Sequence, residues 1–493
     1  MQRPMEPSQK SLSAIATFVG AANDFEDVAI TGMTHDSTAI EGGDIFLALP
    51  GAQVHGASFW AKAQERGARA VLTDLYGATL ISNFPTLVVD NPRRSAGNLS
   101  AWFYDEPMRD LFSVGITGTN GKTTTTTLLH QIWSFAGRES GLIGTVETRI
   151  GAEIVPSIRT TPESCDLQAL VATMRERHVL NFAMEVSSHA LSLERIRGSH
   201  FSVAGFTNLS QDHLDFHHTM EEYFHTKAGL FSYEYTDLAV INMDDAYGRR
   251  LADLAEVPIV KLSRRDPRAD WSYAWFQPHL RGNDISIRGK GGLLIEGWLP
   301  LHGAYNLDNA LMAIAIACES GIDPIDVQAL LPKLVGAVGR LESVDLDQDF
   351  GAFVDYAHTP DAVTRVLQAC RQMSTGKVIA VLGCGGDRDK SKRPLMGRAL
   401  LDGSDVAIFT SDNPRSEDPQ IILNQMTASL PVDYPNVEIM DRRIAIEHAV
   451  AQAGPGDIVV ILGKGHETGQ EIAGVVHSFD DRVVLGAAIE GRA

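Results

Sequence analysis

The stretch Gly115-Ile116-Thr117-Gly118-Thr119-Asn120-Gly121-Lys122-Thr123-Thr124 decides how the rest of the chain is read. It ends an apolar run, Leu111 to Thr117, that reads as a buried strand, and it leads into a Thr-rich segment that reads as a helix. A glycine turn between strand and helix gathers backbone N–H groups and the positive end of a helix dipole at one point, which suits phosphate. Lys122 is placed to reach the terminal phosphates, and the Thr123 hydroxyl to join a magnesium shell. Gly118, Thr119, Asn120, Gly121 and Thr124 complete the loop. The strict G-x-x-x-x-G-K-T pattern fails because Ile116 stands at its first glycine position. The strand–turn–helix setting outweighs that failure, and a nucleotide site is the reading.

Outward from this loop the chain alternates apolar runs with helical stretches. Asp44 to Pro50 and Ala68 to Thr73 read as strands flanking a helix at Ala57 to Gly67. Asn181 to Val186 and Leu238 to Asn242 continue the pattern, which restarts after Gly339-Arg340-Leu341-Glu342 with strands at 352–355, 378–383, 406–410 and 458–463. An α/β fold of mostly parallel sheets follows. Three domains are expected: 1–103, 104–338 and 339–493.

Forty-two Lys and Arg against 62 Asp and Glu leave a formal charge of -20, which argues against a polymeric nucleic-acid partner. No apolar run approaches the roughly 18 residues of a membrane span, and the best, Ala310 to Cys318, reads as a buried helix. The polar N-terminus lacks a signal peptide's apolar core, so a cytoplasmic location is expected. Cys165, Cys318, Cys370 and Cys384 show no paired spacing, so they read as small buried hydrophobes rather than disulfides or a zinc site.

The spelling GTNGKTT resembles that of the Mur ligases, the ATP-dependent amide-forming enzymes of peptidoglycan assembly, and the likeness extends through nearly the whole chain. Glu185-Val-Ser-Ser-His-Ala-Leu191 and Asn208-Leu-Ser-Gln-Asp-His213-Leu-Asp-Phe-His217 resemble the family's next two motifs. Lys227 matches the lysine that the family carries as a carbamate. The resemblance implies three domains: a small N-terminal α/β domain for UDP, a central P-loop sheet domain for ATP and Mg²⁺, and a C-terminal Rossmann-like domain for the incoming amino acid. It further implies two Mg²⁺ ions held by Thr123, Glu185, His213 and a carbamylated Lys227. Such ions offset the repulsion that arises when ATP meets an anionic acceptor.

The same resemblance gives Thr160, Thr161, Ser187 and Arg195 to the peptide of a UDP-N-acetylmuramoyl-dipeptide. Pro162 favours the first helical position there. Ser37, in Thr34-His-Asp36-Ser37, is the expected uridine contact, although Thr38 stands where arginine is common. Asn306 and Asn309, which alone could be helix caps, together with Arg340, Asp355 and His358, are placed beside the nucleotide. Three loops that follow expected strands in the third domain, Gly383 to Lys390, Asp412-Asn413-Pro414-Arg415 and Gly463 to Glu467, form a small-ligand pocket. The DNPR spelling resembles the branch of the family that adds meso-2,6-diaminopimelate. A fixed Arg415, helped by Arg388, suits that substrate's extra carboxylate, and Glu467 its distal ammonium group. Asp412, Asn413, Pro414 and Gly463 complete the pocket. The expected partners are therefore small molecules, UDP-MurNAc-L-Ala-D-Glu and diaminopimelate, acting on a monomer. A lysine- or ornithine-adding relative and a folylpolyglutamate synthetase-like ligase are the alternatives.

Overall fold

The structure, a computed structural model, describes the chain except Met1, Pro7, Asn23, Ala52, Ile158, 432–435 and Ala493. It divides into two compact units, Met1–Leu209 with His213–Leu262 and Ile316–Ile322, and Ser210–Asp212 with Ser263–Ala315 and Asp323–Ala493.

Among the described residues, the first unit holds a two-stranded antiparallel pair, Lys10–Ser11 with Ala29–Ile30, and two larger sheets. The smaller of those two is all parallel, with Gly32–Thr34, Asp44–Leu47, Ala70–Thr73 and Thr86–Val88 side by side in chain order. Helices cover both its faces, so Ile45, Phe46 and Leu47 are all buried, which is why the run is continuously apolar rather than alternating. Helix Leu12–Val19 starts on Ser11, whose hydroxyl accepts from Ala14 N, and stops at Gly20 in the left-handed region. Its Leu12 and Ile15 pack with Met33, Leu72, Leu99 and Phe103.

The larger sheet runs in space as Glu153–Val155, Thr148–Ile150, Ser140–Ile143, Asn181–Glu185, Phe112–Thr117, Val203–Phe206, Ala239–Asn242 and Ile259–Ser263. The first two strands are antiparallel edge strands and the rest are parallel. Phe182, Phe201, Phe206, Phe224 and Phe231 fill its core, each such burial contributing about 1.5–3 kcal/mol. The centre of this sheet, where Phe112–Thr117 lies between Asn181–Glu185 and Val203–Phe206, brings three strand C-terminal ends together. That edge is where open α/β sheets hold ligands.

In the second unit, Trp271–His279, Gly282–Arg288 and Leu294–Leu299 form an antiparallel meander. A six-stranded sheet follows in the order Glu342–Ser343, Gly351–Asp355, Ile458–Leu462, Val378–Leu382, Val406–Phe409 and Asn436–Glu438, parallel after the first strand. The helix expected at 310–318 spans Ala304–Glu319, with Ala310 to Ala317 all buried. Cys165, Cys370 and Cys384 are buried as expected, whereas Cys318 is only half-buried. Among the described residues, no helix is long and apolar enough to cross a membrane.

Candidate functional site

Gly118 takes φ +146°, and a Cβ there would meet the Thr207 hydroxyl at 1.9 Å, so glycine is required where the loop turns off its strand. The loop is pinned from the neighbouring strand end. Thr119 N donates to Asn208 O at 2.9 Å, Asn120 N to Asn208 Oδ1 at 3.0 Å, and the Thr207 hydroxyl to Asn120 O at 2.6 Å. Gly121 precedes helix Lys122–Phe135, so the positive end of that helix lies beside the loop. Lys122 Nζ donates to Gly118 O and Thr119 O, both at 2.9 Å, curling over its own loop. Thr124 is buried one residue past Thr123 on the same helix.

Glu185 ends its strand fully buried. Its carboxylate accepts from the Thr123 hydroxyl at 3.0 Å, from Thr145 N at 2.7 Å and from the Thr145 hydroxyl at 3.2 Å. It caps no helix. Lys227, equally buried on helix Met220–Ala228, donates to Gly118 O at 3.0 Å, and its Nζ lies 4.8 Å over the Tyr223 ring. The His213 ring stands edge-on to the same Tyr223, 6.1 Å away, and to His189 at 4.9 Å. The oxygen donors of Thr123 and Glu185 fit a hard cation such as Mg²⁺. Lys227, as an ammonium, fits as a ligand only once converted to an anion. His217, buried against Tyr223 and His189, has no hydrogen-bond partner at either ring nitrogen among the described residues. Burial and the neighbouring His189 and Lys227 push its pKa down.

Next to Glu185, the Thr161 hydroxyl donates to Glu185 O at 2.8 Å and accepts from Ser187 N at 3.1 Å. Thr160 bonds Thr145 through their hydroxyls at 2.9 Å. Pro162 is not the first helical residue, because helix Ser164–Glu176 begins after Glu163. Arg195 lies 3.0 Å from Glu163, and Arg93 and Arg159 reach the same carboxylate at 3.1 and 2.8 Å. Three arginines thus converge where Thr160 and Thr161 lead into the helix. Ser37 is nearly buried after Asp36, whose carboxylate accepts from Thr38 N and Oγ1 at 2.8 Å.

In the second unit, Asn306 and Asn309 lie inside helix Ala304–Glu319 and cap nothing. Asn306 Nδ2 donates to His302 O at 2.9 Å and Asn309 Nδ2 to Asn306 Oδ1 at 3.2 Å. Asp355 accepts from Leu341 N at 2.6 Å and Ala357 N at 2.7 Å. Burial nevertheless pushes its pKa up to about 6 against the pull of Arg340. The Arg340 guanidinium lies 4.7 Å over the Tyr356 ring, and its Nε has no hydrogen-bond partner among the described residues. His358 is exposed, with Nδ1 2.9 Å from Tyr356 O.

The three loops expected to form an amino-acid pocket do meet. Arg415, at φ +51°, donates through Nη1 to Gly386 O at 2.7 Å, with Nε 3.5 Å from Glu471. Pro414 O would clash at 1.9 Å with any Cβ on Gly386, so the first two loops are interlocked. Asn413 Nδ2 donates to Glu467 at 2.7 Å, joining the second loop to the third. Gly463, at φ +113°, abuts the buried Asp412 carboxylate, whose pKa burial pushes up. Arg388 is exposed and donates to Asp387 O at 3.1 Å.

Sequence reasoning gave no role to the fully buried cations that fasten these loops. Lys464 Nζ donates to Asn413 Oδ1 at 3.2 Å, to Glu467 at 3.1 Å and to Gly469 O at 2.5 Å. Arg393 forks onto Glu417 at 3.0 and 2.8 Å and reaches Gly385 O at 3.2 Å. A lysine between Gly463 and Gly465, straight after an entirely buried strand, was the available signal for the first. The Arg393–Glu417 pair carried none.

Three family models match in succession: the Mur ligase family catalytic domain at residues 29–97, the Mur ligase middle domain at 116–317, and the Mur ligase glutamate ligase domain at 339–465. The chain is 49% identical to the UDP-N-acetylmuramoyl-L-alanyl-D-glutamate--2,6-diaminopimelate ligase of Streptomyces coelicolor, covering 99% of this chain and 98% of the relative. It is 41% identical to the ligase of the same name from Bacillus velezensis over 95% and 96% of the two chains. A solved structure of a ligase with that name superposes with a TM-score of 0.71 at 34% identity, covering 98% of this chain and 99% of the other. The fold is also that of a Thermotoga maritima MurF ligase in complex with ADP, at TM-score 0.62 and 17% identity over 94% and 98% of the chains.

Proposed function

Because this chain belongs to the Mur ligase family, we propose that it is an ATP-dependent ligase that joins meso-2,6-diaminopimelate to the D-Glu side-chain carboxylate of UDP-MurNAc-L-Ala-D-Glu. The D-Glu carboxylate oxygen attacks the terminal phosphorus of ATP and ADP leaves, giving an acyl phosphate. The diaminopimelate amine then attacks the acyl carbon, inorganic phosphate departs, and the amine's proton is lost. The observation that carries the reading is the 49% identity along the whole chain to a ligase of that name, together with Arg415 fixed between Gly386 and Glu471.

Lys122 exchanges its two loop carbonyls for the terminal phosphates, and the backbone of Gly118 to Gly121 with Thr124 cradles the rest. Mg²⁺, when bound, supplies positive charge that offsets repulsion between phosphate and carboxylate. Thr123 and Glu185 would hold it through oxygen, His213 through imidazole, and Lys227 through a carbamate made with CO₂. Burial of Lys227 beside Gly118 O supports that last role. Ser37 serves the uridine, and Thr160, Thr161, Ser187 and Arg195 the dipeptide. Asn306, Asn309, Arg340, Asp355 and His358 complete the nucleotide contacts. Arg388, Asp412, Asn413, Pro414, Arg415, Gly463 and Glu467 take the amino acid, Arg415 gripping its distal carboxylate. These roles fall into domains 1–103, 104–338 and 339–493, and the enzyme acts as a cytoplasmic monomer.

The test is the mass of the product formed when diaminopimelate, lysine and ornithine compete at equal concentration. The diaminopimelate product is expected to dominate. A lysine or ornithine product in comparable yield refutes the selectivity, and ADP release that ignores the UDP-dipeptide refutes the reaction.

A further inference from the structure

Outside the phosphate loop, the side chains of His35, Cys165 and Asp166 converge, although Cys165 and His35 lie 130 positions apart in sequence. His35 follows the strand Gly32–Thr34 of the small sheet, while Cys165 and Asp166 lie in the first turn of helix Ser164–Glu176. Cys165 Sγ is 3.6 Å from His35 Nδ1 and 3.7 Å from Asp166 Oδ1, and His35 Nδ1 is 3.7 Å from Asp166 Oδ2. The two thiol contacts lie within the range of sulfur hydrogen bonds, and they hold an imidazole nitrogen, a thiol and a carboxylate in one cluster. A tetrahedral zinc ion, with Zn–S of about 2.3 Å and Zn–N or Zn–O of about 2.0 Å, spaces its ligand atoms about 3.3–3.6 Å apart. The two carboxylate distances belong to different oxygens; with one oxygen taken from Asp166 the three ligand atoms lie within 4.8 Å of one another, so the cluster must contract by up to about 1 Å to enclose one.

We propose that His35 Nδ1, Cys165 Sγ and an Asp166 carboxylate oxygen form a three-ligand site for a thiophilic divalent cation such as Zn²⁺, distinct from the magnesium site at Thr123 and Glu185. Its donor set of one sulfur, one imidazole and one carboxylate suits zinc and disfavours magnesium, which takes oxygen. Cys165 is buried at 1% exposure, whereas the His35 and Asp166 side chains remain about a quarter open. The fourth coordination position therefore faces water from their side. Binding replaces the Cys165 S–H bond with a sulfur–metal bond and releases the proton to solvent, with no change of oxidation state. The bound ion would tie the turn that carries Asp36 and Ser37 to the helix that follows Thr160 and Thr161.

The proposal stands apart from the ligase reading and is tested without turnover. The full chain, stripped with chelator and dialysed, is titrated with Co²⁺ while sulfur-to-cobalt charge transfer is read in the near ultraviolet. One equivalent should bind with that absorption, Zn²⁺ should displace it, and excess Mg²⁺ should not. Cys165→Ser should abolish the absorption and His35→Ala should weaken binding at least about tenfold, whereas Cys318→Ser should leave both unchanged. Absence of the band at millimolar Co²⁺, or its survival in Cys165→Ser, overturns the proposal. If Cys165→Ser does not fold, wild-type affinity in His35→Ala overturns it equally.

Discussion

Lys122 and Lys464 both point their ammonium groups at backbone carbonyls, yet the two regions they serve are built differently. Lys122 bonds Gly118 O and Thr119 O, within four positions of itself. Lys464, fully buried, bonds Gly469 O and also fastens Asn413, 51 positions away, to Glu467. The first lysine belongs to a loop that one contiguous segment shapes. The second is a clamp among loops whose shape depends on all of them at once. A local anion cradle can exchange its lysine's partners for a ligand, whereas a clamp must keep them in order to hold its pocket.

The comparison predicts effects of different kinds. Lys122→Ala should lower tripeptide synthesis by about 10³-fold or more while leaving the fold unchanged by circular dichroism, since only charge at the reacting phosphate is lost. Arg393→Met should instead destabilise the second unit by about 3 kcal/mol in urea unfolding, because Glu417 loses the fork that fastens it. Lys464→Met should raise the KM for diaminopimelate by about 30-fold with the KM for ATP unchanged. An equal rise in both would dissolve the distinction drawn between the lysines.

The smallest effect is on pH dependence. Burial holds Asp355 at about 6, above its unfolded value of about 3.9, so between these the folded chain keeps a proton that the unfolded chain has lost. Stability from this group is present at pH 4 and lost as pH rises through 6. Urea midpoints of wild type and Asp355→Asn should therefore diverge in the variant's favour from pH 4.5 to 6.5, by an amount on the order of 1–2 kcal/mol. A parallel pair of curves would show that Leu341 N and Ala357 N hold the carboxylate ionised.

The same contrast explains what could be read in advance. The strand runs 113–117, 181–185, 378–382 and 458–462 announce themselves by unbroken burial on both faces. The phosphate loop is legible because a glycine turn, a lysine and two threonines carry it in one stretch. Glu163 is silent in the sequence, because nothing in its neighbours foretells that Arg93, Arg159 and Arg195 come together on it. Pro162 misled for a local reason: its preference for a first helical turn does not fix which residue begins the helix. His35 and Cys165 were invisible as a pair, since only the packing of a turn against a helix brings an imidazole to that thiol.

The curl of Lys122 over its own loop sets the heat that nucleotide binding releases. Its ammonium is already bonded to two carbonyls, so an arriving phosphate trades partners with the loop rather than filling an unmet demand. The heat of that encounter is a difference between two satisfied arrangements and should be modest. A lysine free in solvent would report the full strength of its new bonds less the loss of water.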